Sequence, residues 1–235
     1  MGFTQQLSKL FLKPQKSDSL QKSAEVLADI RQATTRFEQF REHGDSQALD
    51  EAIAAYESVA AQPTFATLPE LLQTTVLLTK GLALSSRYKQ SQQASDLDQA
   101  IDLFRETINR TPPDSPLFAN FLTHLGDSLL DRFIRTGQLE DLREAFYWHE
   151  RADYIQETGG PEWISYYLAL GEKFLQQFQQ TGQVEDLHKA LNIYDVILKY
   201  ARSPLVNTAA WAEIIERIEK ITILSPDDKG QRSDI

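Results

Sequence analysis

The feature that most constrains this chain is a set of markers returning at one fixed step. Gly81, Gly126 and Gly171 lie 45 residues apart. So do the leucines of Ser95-Asp96-Leu97-Asp98-Gln99-Ala100, Glu140-Asp141-Leu142-Arg143-Glu144-Ala145 and Glu185-Asp186-Leu187-His188-Lys189-Ala190. A looser copy, Ala48-Leu49-Asp50-Glu51-Ala52, precedes them by 48 residues. An aromatic marker, Phe40, Tyr88, Phe133 and Phe178, keeps the steps 48, 45 and 45. Thr136-Gly137-Gln138 and Thr181-Gly182-Gln183 fall in the same register. Markers of different chemistry holding one step define a repeat, and a unit of this length cannot bury its apolar face alone. Neighbouring copies must cover one another.

Each period divides into two helices. Residues 95–110 carry Leu97, Ala100, Ile101, Phe104 and Ile108 on one stripe of 3.6-residue spacing. Ser95 reads as the N-cap, with Asp96 and Asp98 in the first turn beside the positive end of the helix dipole. Thr111-Pro112-Pro113 ends that helix. A second stripe runs through Leu117, Phe121, Leu125, Leu129 and Phe133, and Gly137 supplies a left-handed C-cap. The later copies predict helices over 139–156, 162–180, 184–201 and 205–222, with breaks at Gly159-Gly160-Pro161 and Ser203-Pro204. Upstream, 18–42, 47–61 and 68–90 follow the same pattern. In the last helix Glu216 replaces the repeating glycine, as expected of a terminal cap. The expected organisation is an N-terminal amphipathic segment (1–17), a repeat domain (18–223) and a disordered polar tail (224–235). The fold class is all-α, a solenoid of stacked antiparallel helical hairpins.

The residues also resemble tetratricopeptide repeats. Leu125-Gly126-x-x-Leu129 and Leu170-Gly171-x-x-Phe174 look like that repeat's Leu-Gly signature, and Ala52-x₃-Tyr56, Ala100-x₃-Phe104 and Ala190-x₃-Tyr194 like its Ala-x₃-Phe signature. The period departs from the usual 34 residues. The longer form, with its Thr-Gly-Gln-x-Glu-Asp-Leu turn, is similar to arrays that accompany caspase-like CHAT protease domains. The resemblance implies a right-handed superhelix whose Leu-Gly helices line a concave groove. Positions six and three before the glycine and one after it would face a ligand: Thr75, Leu78 and Leu82; Asn120, Thr123 and Asp127; Ser165, Leu168 and Glu172. Asp131 stands one turn beyond Asp127.

Charge then selects the partner. The chain has 24 Lys and Arg against 34 Asp and Glu, a net charge of -10. That balance disfavours nucleic acid and anionic membrane, which demand a basic surface. Asp127, Asp131 and Glu172 would repel a carboxylate-ended ligand and attract a basic or amphipathic protein segment. A second candidate surface comes from comparing copies. Tyr147 stands where the other second helices carry Ala54, Asp102 and Asn192, with Trp148 beside it and His149 in place of a core aromatic. Exposed Tyr147 and Trp148 would anchor a partner; the alternative is that all three rings bury against a neighbour, with His149 hydrogen-bonded.

Catalytic and metal chemistry find little footing. There is no cysteine, and His43, His124, His149 and His188 lack metal-site spacing. No phosphate loop or nucleophile elbow occurs, so no cofactor, metal or catalytic residue is expected. His43 and His188 are expected to be solvated or capping. No run approaches the roughly 20 apolar residues of a membrane span, and a cytoplasmic protein is the simplest reading. Phe3, Leu7, Leu10 and Phe11, with Lys9, Lys13 and Lys16, form a short basic amphipathic segment. Membrane contact would come only through residues 3–12, which could equally dock on the array or a partner. Self-association through the apolar ends of the array is a further expectation. The leading function is a non-enzymatic interaction scaffold. A regulatory sensor acting in trans on a caspase-like protease or another enzyme is the second reading. An all-α enzyme, built on clustered carboxylates or His124, is the third.

Overall fold

Four helices of this chain end in the same way, on a left-handed residue. Gly44, Gln92, Gly137 and Gly182 have φ of 71, 58, 72 and 72°. Each donates its N–H to the carbonyl of the residue four earlier, Phe40, Tyr88, Phe133 and Phe178, at 2.7 Å. The aromatic marker of the repeat is thus the residue whose carbonyl closes the cap. After each cap a second residue follows and a new helix begins. In the later copies Thr136 and Thr181 hydroxyls accept the N–H of Gln138 and Gln183 at 3.2 Å. In the first, Asp45 accepts from the N–H groups of Gln47 and Ala48.

The computed structural model describes residues 15–156 and 162–201, with Ala212, Ile215, Glu216, Ile218 and Glu219 beyond them. The helices are α1 (Gln15–His43), α2 (Ser46–Ala61), α3 (Glu70–Ser91), α4 (Ala94–Arg110), α5 (Phe118–Thr136), α6 (Leu139–Gln156), α7 (Glu162–Thr181) and α8 (Val184–Ala201), with a 3₁₀ turn at Phe65–Thr67. Among the described residues there is no strand. The chain is all-α, and the helix limits fall within three residues of those the apolar periodicity predicts. The segment 3–12, the Gly159-Gly160-Pro161 and Ser203-Pro204 breaks, most of 205–222 and the tail lie outside the described residues.

The chain divides into two compact units, Met1–His124 and Leu125–Ile235. In the first, α1 packs on α2, α2 on α3 and α3 on α4. Its core holds Leu97, Ala100, Ile101 and Phe104 of the predicted α4 stripe, with Leu49, Ala52, Ile53 and Tyr56 from α2 and Val76, Leu77 and Leu84 from α3, all buried. In the second, α7 packs on α8. Phe146 of α6 meets Trp163 and Tyr167 of α7 edge-to-face, with centroids at 4.6 and 5.4 Å. Buried aromatic pairs of this kind contribute about 1 kcal/mol beyond their area.

One sequence expectation fails at the start of α4. The helix begins at Ala94 with Gln93 in the cap position, so Ser95 lies inside the first turn and caps nothing. Gln93 instead donates from Nε2 to Ser95 Oγ at 2.9 Å. Asp96 does lie in the first turn, as expected, and is there 1% exposed and bound to an arginine.

Candidate functional site

The repeating glycines are contact points. A Cβ on Gly81 would lie 2.7 Å from the Phe104 ring, on Gly126 2.5 Å from His149, and on Gly171 2.7 Å from Tyr194. In every case the ring stands 23 residues after the glycine. Ala33 and Tyr56 hold that relation in the first copy, both fully buried. One ring per repeat is therefore pressed against the backbone of the preceding helix. In two copies the residue after the small one bonds the ring: Thr34 accepts the Tyr56 hydroxyl at 3.1 Å, and Asp127 Oδ1 lies 3.2 Å from His149 Nε2.

A second periodic device is a bidentate arginine clamp. Arg87 Nε and Nη2 donate to Asp96 Oδ2 and Oδ1, both at 2.8 Å. Arg132 donates in the same way to Asp141 at 2.9 and 2.7 Å. Arg87 also reaches Asp50 at 3.1 Å, tying α2, α3 and α4 together. Hydrogen bonding to Asp96 raises the Arg87 pKa, so the guanidinium stays charged. The clamp residues keep the 45-residue step, yet Asp141 is buried and serves the hairpin rather than a ligand.

The candidate site in the second unit grows from this frame. His149 is 6% exposed; its Nδ1 lies 3.0 Å from the Tyr167 hydroxyl and its Nε2 3.2 Å from Asp127 Oδ1. With its proton on Nε2 the ring donates to Asp127 and accepts from Tyr167, so both nitrogens are satisfied. Tyr167 is 0% exposed, and burial, then the Asp127 charge, holds its phenol well above the usual range. Tyr167 thus forms the buried end of this chain and Asp127 its solvent-facing end. That carboxylate remains half exposed while the imidazole fixes its direction. On α7 the neighbouring Tyr166 is exposed, and its phenol is raised by partial burial and then by the charges of Asp131 and Asp127. Asp127, Asp131 and Tyr166 thus come together as a half-solvated acidic and aromatic face.

Of the other groove positions in this unit, Ser165 is exposed and Leu168 and Glu172 are half-buried. In the first unit Asn120 and Thr75 are exposed, and Thr123, Leu78 and Leu82 are half-buried. Thr123 and Thr75 return their hydroxyls to Ala119 and Leu71 carbonyls at 3.1 and 2.7 Å. On α6, His149 is buried and hydrogen-bonded, Tyr147 is exposed and Trp148 is half-buried. The alternative in which all three rings bury holds for His149 alone. His124 stacks on Phe104 at 5.8 Å, and His43 and His188 are exposed.

Tyr166 escaped the sequence reading. Its signal is helical phase: Ile164, Tyr167, Leu170 and Phe174 are the buried stripe of α7, which leaves Tyr166 off it. Among the described residues no three His, Asp or Glu side chains are grouped to hold a metal ion. No helix among them is long and apolar enough to cross a membrane. Comparison with family models, curated proteins and solved structures returns no match.

Proposed function

We propose that this chain is a tetratricopeptide-like α-solenoid and a non-enzymatic, cytoplasmic interaction scaffold that captures a basic or amphipathic protein segment. One observation carries the reading: buried His149 holds the half-exposed Asp127 carboxylate, and the charges of Asp127 and Asp131 are felt at the exposed Tyr166 phenol of the same unit. Such a face suits a helix presenting lysine or arginine beside an apolar anchor, since a cation gains from both carboxylates and ring. Ser165 and Glu172 extend the face along α7. The recurring caps, glycine–ring contacts and clamps support the repeat reading, because each is a device for packing one hairpin after another. The absence of cysteine fits a reducing compartment.

The test is fluorescence anisotropy with a labelled synthetic amphipathic helix bearing lysines on one face and leucines on the other. Wild type is expected to bind it, more weakly as salt rises. Asp127→Lys plus Glu172→Lys is expected to weaken binding roughly tenfold to a hundredfold, the size of two reversed, partly screened ion pairs. Equal binding by both chains would remove this face from the account.

A further inference from the structure

At the place of His149 the other copies carry Tyr56, Phe104 and Tyr194. Tyrosine and phenylalanine keep one charge state between about pH 5 and 8, whereas histidine changes its charge there. The slot holds this ring firmly. His149 is 6% exposed, and its Nε2 stands 2.5 Å from where a Cβ on Gly126 would lie. The rings of Trp163 and Tyr167 flank it, with centroids at 6.1 and 5.8 Å. A proton taken up by His149 must therefore be answered where the ring stands.

Two hydrogen bonds decide how it is answered. Nδ1 lies 3.0 Å from the Tyr167 hydroxyl and Nε2 3.2 Å from Asp127 Oδ1. The Tyr167 phenol is buried and held well above its usual range, so it stays protonated and donates to Nδ1. A further proton enters at Nδ1, the nitrogen that carries none. The imidazolium then donates from both nitrogens, and the Tyr167 oxygen turns from donor to acceptor. Its displaced hydroxyl hydrogen is left among the Phe146 and Trp163 rings, which offer no oxygen. At Nε2 a hydrogen bond from a neutral ring becomes an ion pair, and the pair passes from one negative charge to none. Other ionisable groups surround the ring. On α5 Asp131 stands one turn beyond Asp127, and on α7 Tyr166 adjoins Tyr167. Tyr200 of α8 meets Phe146 and Trp163. On α6 itself Glu150 and Asp153 bear on Tyr200, and Arg151 lies over Trp148. Asp127 is the carboxylate within hydrogen-bond distance of the ring.

We propose that His149 is a proton-sensitive switch for the Asp127 face, which holds a cationic segment more tightly when the ring is neutral than when it is protonated. The choice of ligand rests on the function proposed above; the switch itself rests on the two hydrogen bonds and the closed slot. Cancelling one half-exposed charge weakens a basic ligand roughly twofold to fivefold. Asp131 and Glu172 remain on the face, so the response is graded. Binding weakens as pH falls, because the proton arrives beside Asp127 and opposes the ligand's own charge.

Two measurements separate the switch from its ligand. In the free protein, carbon-13 shifts of the imidazoles and side-chain carboxyls are followed from about pH 8 to 5. The Asp127 carboxyl should show a step at the same midpoint as the His149 imidazole. His149→Tyr, which places in the slot a ring that two sister copies hold, should abolish that step. Asp127→Asn keeps the histidine and removes its counter-charge, and should move the imidazole step to lower pH. Anisotropy of the labelled lysine–leucine helix at about pH 7.5 and 5.5 then reads the consequence. Wild type should weaken roughly twofold to fivefold on acidification, while His149→Tyr, whatever its affinity at the higher pH, should lose that dependence. An Asp127 carboxyl with no step in this range, a step that survives His149→Tyr, an imidazole step indifferent to Asp127→Asn, or an affinity that falls equally in both chains would overturn the proposal. A helix bound by wild type at neither pH would overturn the scaffold reading, with the carboxyl step still deciding the switch.

Discussion

Gln92→Gly should make this protein more stable, although it removes a side chain and its hydrogen bonds. Gln92 is the described non-glycine residue with positive φ, at 58°. Its counterparts in the other copies are Gly44, Gly137 and Gly182, all near the same angle. Placing an L side chain there costs about 1–2 kcal/mol through the approach of Cβ to the backbone. Glycine returns about 0.5–1 kcal/mol of that as extra unfolded-state entropy. The bonds lost are Gln92 Nε2 to the Tyr88 and Lys89 carbonyls, long at 3.4 Å and near solvent, so they offset little. The net gain is about 0.5–1 kcal/mol. With a urea slope of about 2 kcal/mol/M, the midpoint should rise by about 0.25–0.5 M without a change in slope. The mirror variant Gly44→Gln should lose about 1 kcal/mol, and since a Cβ there meets nothing within 4 Å, that loss is conformational. A Gln92→Gly midpoint at or below wild type, beside a destabilised Gly44→Gln, would refute the reasoning by showing that the glutamine's own contacts dominate.

Other expectations follow from the periodic contacts. Arg132→Gln leaves the Asp141 carboxylate buried without its fork and should cost about 3 kcal/mol by urea unfolding. Gln177 takes the place of Arg87 and Arg132 in the next copy, with Asp186 in the place of the clamped aspartate, and its Oε1 is buried with no partner. Gln177→Arg should therefore slow hydrogen exchange across the α7–α8 turn, by about 1 kcal/mol of local stability. Gly126→Ala drives a methyl into His149 and should cost about 1–3 kcal/mol; most of that loss should vanish when it is measured against His149→Ala, because the clash is then gone. Burial raises the Tyr167 phenol, so its contribution is complete below the unfolded value of about 10 and is lost as pH rises through the higher folded value. Tyr167→Phe should flatten the fall in stability between pH 9 and 11, and an unchanged alkaline limb would contradict the assignment.

The helices were legible because apolar stripes and caps are local signals, and both are copied at one step. Phe133 and Gly137 announce the end of α5 in four residues, with no knowledge of what packs on it. The clamps were present at the same step, as Arg87, Arg132, Asp96 and Asp141, yet charged residues at helix ends read as solvated. What buries Asp96 is the approach of an arginine nine residues earlier on another helix, a tertiary fact that propensity does not carry. Ser95 failed as a cap because α4 starts one residue earlier, at Ala94, in the same register as α6 at Leu139 and α8 at Val184. At the candidate site the carboxylate of Asp127 was legible, but not what aims it. His149 looked like a misplaced core ring until Gly126, Tyr167 and Asp127 closed around it. Tyr166 and Tyr167 are adjacent and chemically alike, and only helical phase separates the exposed ring from the buried one.

The central claim is that the face of Asp127, Asp131 and Tyr166 receives a basic amphipathic segment. Its most direct test is the map of backbone amide shifts in isotope-labelled protein as the lysine–leucine helix is titrated in. The account predicts shifts concentrated at residues 127–131 and 165–172, lost in Asp127→Lys plus Glu172→Lys and diminished by salt. Shifts confined to 143–155 on α6, or spread through the first unit with 127–131 and 165–172 unmoved, would contradict it.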